Sequence, residues 1–497
     1  MTARAYKLPL AEPYNTRVSA TNQSDNTTGY VGIGIVGYMI VGKPSTSTSK
    51  DARFINCYST TIGSNKYIVK RPGFGTANTP ASGSKGMAIT VWTGQGSKIM
   101  SAFGETNSTL YDSTTSKGAI TGAVTSFAET FVGTQATLLM ASTDSTGWYY
   151  DTSVGVATKI TDGDFPGNAG GTLAGGFAVM DGFTCIMTTD GKLWASDLNS
   201  VTGWTANNFD STNVYPDLGI GAVRFKNFIM AFGSESVEFW QNAGLTPFPL
   251  ARAKAMTLKI GCVHAKTITS ISDNVFWCGS TPQGGLSIFQ YDGSISRVST
   301  PAIDSGLILA GSTNISLSTI RTQGYSFVLV KAGTTTYAYC IEEKFWHEWN
   351  STTPLWTACA GVSIGGTLVN YAVSNVSTSG KVYTQNQASL VFTDDSQTYT
   401  ATIQTGKRDE GTTRWKFYDY MEIYGDIESS TSQVTLSKSD DDYANFDVLG
   451  TVDLADGGGR ISRLGRTKER AWRLTHSAAT PMRLNGVVEG TLSVGTS

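Results

Sequence analysis

One phrase recurs along the chain: an apolar strand, a turn, then a second strand carrying an aromatic pair or near-pair. It falls at Tyr111 (STLYDS), Tyr149 (GWYYDT), Trp194 (GKLWAS), Phe239 (SVEFWQ), Phe289 (LSIFQY), Tyr337 (TTYAYC) and Tyr383 (GKVYTQ). Successive spacings are 38, 45, 45, 50, 48 and 46 residues. A period of about 40–50 residues is the length of a four-stranded propeller blade. One blade cannot bury both faces of its sheet, whereas radial stacking buries them and leaves only short edges. The spacing predicts a β-propeller of six or seven blades over residues 76–388, each phrase forming the inner hairpin of a blade. Two packed sandwiches would give a similar spacing.

The local pattern agrees with an all-β chain. No stretch holds apolar residues at i, i+3, i+4 and i+7 over several turns. Short runs such as 178–188 (AVMDGFTCIMT), 225–232 (FKNFIMAF) and 325–331 (YSFVLVK) are bounded by turn residues instead. Charged residues make up only 15% of the 497, against about 25% in ordinary domains. Disorder is excluded because 11 Trp, 21 Tyr and 21 Phe can fill a core.

The ends leave the repeat. Residues 1–75 and 389–497 are expected to form a separate β-sandwich or platform domain, with N-terminal strands near 31–40 and 53–58 beside a C-terminal sheet. Alternation is clear at 415–424 and 433–437. The apolar run 29–42 is too short and Gly-rich to span a bilayer and reads as a buried strand or hairpin. The opening MTARAYKLPL has no hydrophobic signal core. Cys57, Cys185, Cys262, Cys278, Cys340 and Cys359 form no CxxC pair and read as reduced core residues of a protein made in the cytoplasm.

Little in the sequence points to catalysis. His264, His347 and His476 stand far apart, and no HExxH, P-loop or GxSxG occurs. The Gly-rich 167–176 lacks the Lys-Ser/Thr ending that cradles phosphate. The expectation is a protein that is not an enzyme, with no catalytic residue, cofactor or metal. Glycoside cleavage needs two positioned carboxylates. Glu342, Glu343 and Glu348 lie in IEEKFWHEWN with Trp346 and Trp349, which suits either a carbohydrate site or a blade hairpin. A glycan-binding or glycan-cleaving propeller is therefore the alternative reading. Residues 440–442 (DDD) lack the pattern of a Ca²⁺ loop and read as a solvated turn.

Net charge is −2, so no bulk field draws nucleic acid. The C-terminal stretch nevertheless gathers Arg460, Arg463, Arg466, Lys468, Arg470, Arg473 and Arg483. Arginine's planar fork suits ion pairs at interfaces, and it can also meet phosphates. Arg463, Arg466, Arg470 and Arg473 are the candidate subunit-interface residues; a DNA-facing stripe is the second reading.

Three segments, in order, resemble the tail hub or nozzle proteins of short-tailed bacteriophages, also called packaged-DNA stabilisation proteins. They are RFINCY at 53–58 with RPG at 71–73, the blade segment IMAFGSESVEFWQNAGLTPFPLARAKA at 229–255, and SKSDDDYANF at 437–446 followed by RLGRTKERAWR at 463–473. The resemblance implies a structural virion protein of the tail. It implies a homohexameric ring below the portal and adaptor rings that extends the DNA channel and retains packaged DNA. It further implies docking of tail fibres or tailspikes, and double-stranded DNA passing through without sequence-specific binding.

Overall fold

The computed structural model describes residues 6–7, 52–62, 65–212, 214–215, 217–280, 285–350, 359–364, 366–374, 376–409, 413–489 and 492–494. The strand expected at 31–40 lies outside the described residues. The chain forms two compact units. One comprises Thr76–Thr336 and Thr353–Ser389; the other comprises Met1–Gly75, Tyr337–Thr352 and Leu390–Ser497.

The first unit is a propeller. Four-stranded sheets at 86–120, 124–159, 173–211, 219–252 and 269–297 form blades 1 to 5. The hairpin of Ile315–Thr322 and Tyr325–Ala332 occupies the sixth position. Blade 7 joins Cys359–Ile364, Thr367–Val373 and Val382–Asn386 to Gly75–Asn78, so strands from opposite ends of the unit complete one sheet. The first strands of blades 1 to 4 pack successively on one another. Those of blades 5, 6 and 7 do the same, and blade 7 returns to blade 1. Blades 4 and 5 are joined by a core in which Phe232 lies 5.5 Å from Trp277 and Phe225 lies 5.1 Å from Tyr291.

Second strands are buried almost throughout, as in Gln135–Ser142 and Phe228–Gly233. They are covered on both faces by neighbouring blades, which explains continuous apolar runs rather than alternation. The recurrent aromatic phrase corrects one expectation. Tyr111, Tyr149, Trp194, Phe239, Phe289 and Tyr383 lie in third strands, not in the inner hairpin. Blades diverge away from the axis, so bulky rings are needed farther out, and first strands line the centre. The one α-helix among the described residues, Pro301–Ala310, carries Pro at its first position.

The second unit is a β-sandwich. Its strands are β1 (Arg53–Ile55), β2 (Cys57–Ile62), β3 (Asn65–Lys70), β4 (Phe345–Glu348), β5 (Ala401–Gln404), β6 (Lys416–Gly425), β7 (Gln433–Ser439), β8 (Asp447–Asp453), β9 (Gly458–Thr467), β10 (Ala471–His476) and β11 (Arg483–Glu489). One sheet runs β2-β3-β11-β6-β9; the other contains β4-β1-β5-β10-β7-β8. The β1–β4 pair is parallel and β1–β5 antiparallel, so an N-terminal strand sits between one that interrupts the propeller sequence and one that follows it. Phe54, Ile403, Leu436 and Leu474 of one sheet share a core with Ile68, Met421, Ile423, Ile461 and Leu484 of the other. The described cysteine side chains, Cys57, Cys185, Cys262, Cys278 and Cys340, are buried free thiols.

Candidate functional site

The most distinctive sequence segments do internal work. In the first, Arg53 Nη2 lies 2.7 Å from Glu348 Oε2. Asn56 accepts from Arg71 Nε at 2.9 Å and from the Asn350 amide at 2.9 Å, and donates to the Thr400 carbonyl at 2.9 Å. Arg71 is fully buried and donates from Nη1 to Asp394 Oδ1 at 3.1 Å, with Nη2 on Oδ2. Its guanidinium lies 4.1 Å from the Tyr399 ring centre. Burial disfavours the cation, but Asp394 outweighs that and raises Arg71 above its ordinary value. Lys70 goes the other way: burial, then Arg71, lower it to about 8. Gly73 follows because a Cβ there would lie 2.1 Å from the Thr393 carbonyl oxygen.

This arrangement also disposes of IEEKFWHEWN as a sugar-binding surface. Trp346, His347, Glu348 and Trp349 are all buried. Burial raises the Glu348 carboxyl above its usual range despite Arg53. Its partner is a structural arginine, not a second acid. Among the described residues no group of three or more His, Cys, Asp or Glu is placed to hold a metal ion.

The blade segment is likewise built from buried polar contacts. Glu238 is buried, accepts from the Val214 amide at 2.9 Å and lies 3.6 Å from Arg252. Asp217 Oδ2 accepts from the amides of Glu235 and Ser236 at 2.9 and 2.8 Å, holding the turn between the second and third strands.

The third segment separates the four candidate arginines. Arg470 is buried and grips Asp440 through Nε (2.7 Å) and Nη2 (2.8 Å), while Nη1 donates to the Leu464 carbonyl at 2.8 Å. Burial works against the Asp440 carboxylate, but hydrogen bonds from Arg470 and Lys438 hold it below its ordinary value. Asp441 accepts from Ser439 and Asn445, and Asp442 lies 3.3 Å from Lys407, so the acidic run is a pinned turn. Arg473 is half-buried, donates to Gln404 and stacks 3.3 Å from the Phe446 ring centre. Arg463 and Arg466 are exposed on β9.

Those two belong to a face that sequence reasoning had not assembled. β6 and β9 pair antiparallel, placing Arg466 opposite Phe417, Ser462 opposite Tyr420 and Arg460 opposite Glu422. The register shifts between Tyr418 and Tyr420, and Arg463 sits in the stretch of β9 opposite this irregularity with φ of 63°. The outward side carries Trp415, Phe417 and Tyr424 as exposed aromatics. Arg460 lies 3.2 Å from the Tyr420 ring centre, and Arg466 and Lys468 lie 5.0 and 5.7 Å from that of Trp415. Arginine stacked on aromatic rings is characteristic of recognition surfaces. The aromatic half of the signal was present in the alternation of WKFYDYMEIY.

Residues 55–389 match the model of a family described as bacteriophage P22 Gp10, beta-propeller. The chain belongs to this family. It is the tail nozzle and DNA-stabilisation family of short-tailed phages, and its members are structural tail proteins. No curated protein matches the chain. Solved structures similar to it include BamB from Moraxella catarrhalis, at 12% identity and a TM-score of 0.37, covering 66% of this chain and 92% of that one. U3-55K matches at 9% identity and 0.39, covering 63% and 99%. Chaetomium thermophilum Raptor matches at 9% and 0.37, covering 63% of this chain and 28% of its own.

The family match includes Asn56, Arg71 and the Glu238 blade segment, while Asp394, Tyr399 and Thr400 of the knot lie just past its end. It ends before β6 and β9, so the exposed aromatic and arginine face belongs to the part of this nozzle-family chain beyond the matched region.

Proposed function

We propose that the chain is the ring-forming hub or nozzle subunit of a short phage tail, and that the outward face of β6 and β9 meets the neighbouring subunit. The ring is a homohexamer below the adaptor; it extends the DNA channel, retains packaged DNA and docks fibres or tailspikes. The observation that carries the interface is the pairing of exposed Trp415 and Phe417 with Arg463 and Arg466 on adjacent strands. Interface cores are enriched in aromatics and arginine. A closed ring uses two different faces of each subunit, so acids on another face would answer these cations. The inner wall must let DNA slide, and a net charge of −2 suits weak phosphate contact better than a clamp.

The test is a Trp415→Ala, Arg463→Ala, Arg466→Ala triple variant of the full chain. Native mass and electron microscopy are expected to show folded subunits that fail to form rings, and particles carrying the variant leak DNA. Normal rings with an altered, salt-sensitive ejection rate would place the face on the channel instead.

A further inference from the structure

The first strands of blades 1, 2 and 6 line a cavity of about 440 Å³ within the propeller. Three lysines border it from separate parts of the ring. Lys85 precedes blade 1, Lys266 lies in the short turn Ala265–Thr267 before blade 5, and Lys331 ends the second strand of the sixth position. Lys85 is tied to Glu105 at 2.7 Å. Among the described residues neither Lys266 nor Lys331 has a carboxylate partner at ion-pair distance. His264 and Cys262 are titratable groups that flank the Lys266 turn.

Burial, then Lys85 and Lys266, push Lys331 down to about 8. Lys266 is lowered by burial and Lys85, with Glu105 opposing. Gathering like charges against low-dielectric walls is unfavourable unless an anion offsets it. With all three lysines charged and Glu105 ionised, three positive charges face one negative, a net of about +2.

The chemistry of the lining selects the anion. Among the described residues no arginine borders the cavity, so the planar fork that favours carboxylates is missing there. Lysine ammonium groups act as point charges and suit a tetrahedral oxyanion. Ser126 and Ser316 line the same space. The volume falls in the range of small-ligand pockets, about 300–1,000 Å³, and cannot admit a duplex.

We propose that this cavity binds a small phosphate-type dianion, either free phosphate or a phosphate monoester, between Lys85, Lys266 and Lys331. The site lies within the propeller and does not depend on ring formation. Occupation would stabilise the folded state by mass action.

Calorimetric titration of the full-length chain tests it, with inorganic phosphate, glycerol phosphate and acetate as probes. Phosphate is expected to bind, and to bind at least tenfold more weakly to Lys331→Met and to Lys266→Met. Neither substitution strands a buried carboxylate, so both variants should keep the wild-type melting temperature in phosphate-free buffer; a variant that melts lower is replaced by the Gln substitution. Wild-type affinity should fall several-fold from pH 7 to pH 9 as Lys331 loses its proton, and this fall should be absent in Lys331→Met, where phosphate's own ionisation leaves only a modest rise. Glycerol phosphate binding as well as phosphate would identify the monoester as an accepted source; its exclusion would leave free phosphate. Absence of phosphate binding, equal affinity in the variants, a flat pH profile, or acetate binding as tightly as phosphate would each overturn the proposal.

Discussion

Arg71 and Asp394 stand 323 positions apart and form a two-pronged ion pair with side-chain exposures of 0% and 1%. The pair ties the turn after β3 to the segment that leads into β5. Removing one partner of such a pair strands the other charge in a low-dielectric site. Asp394→Ala is expected to destabilise the sandwich by about 3–5 kcal/mol. Arg71→Met alone should do the same, and the double substitution should cost clearly less than the sum. Denaturant unfolding followed by tryptophan fluorescence measures this; additive losses would mean that the two side chains do not act as a unit.

Arg470 and Arg466 should behave oppositely although they stand only four positions apart. Arg470→Ala removes three hydrogen bonds, two of them charge-assisted to the partly exposed Asp440, and is expected to lower stability by about 1–3 kcal/mol. Arg466→Ala removes an exposed stacking contact and should change stability by less than about 1 kcal/mol while weakening ring assembly. Thermal melting and native mass, measured together on both variants, separate the two roles.

His347 sits among Phe54, Tyr58 and Phe345, with the Phe345 ring centre 4.9 Å away. Burial lowers it to about 3. The unfolded chain takes up this proton near pH 6.5. Its contribution to stability is therefore full above about pH 6.5 and is lost progressively as pH falls toward 3. His347→Leu should flatten the acid limb of a stability–pH curve by about one proton. An unchanged slope would assign that limb to other groups, His476 among them, which burial and Lys70 lower to about 4.

Gly73→Ala should destabilise by about 1–3 kcal/mol, because its Cβ meets the backbone carbonyl of Thr393, which cannot rotate away. Gly406→Ala is the control: nothing lies within 4 Å of a Cβ there and φ is not left-handed, so its melting temperature should match wild type.

The propeller was legible in the sequence because each blade contributes one third strand, and that strand needs large rings where the blades diverge. The aromatic phrase therefore recurs once per blade, and its period survives even though its place in the blade was misjudged. The all-β class was legible for a similar reason: short apolar runs and turn residues report local burial. The fate of individual charges was not. Arg466 and Arg470 occupy the same basic run, but Arg466 lies on β9 while Arg470 lies beyond its end and bridges Arg408, so only these tertiary pairings show which arginine turns inward. Glu348 and Trp349 looked like a possible sugar site until a strand about 300 residues earlier supplied Arg53. Lys85, Lys266 and Lys331 carry no common motif; ring closure brings them to one cavity. Side-chain periodicity along a strand encodes how deeply that strand is buried, whereas the partner of a charge is set by which distant strands close the ring and the sandwich.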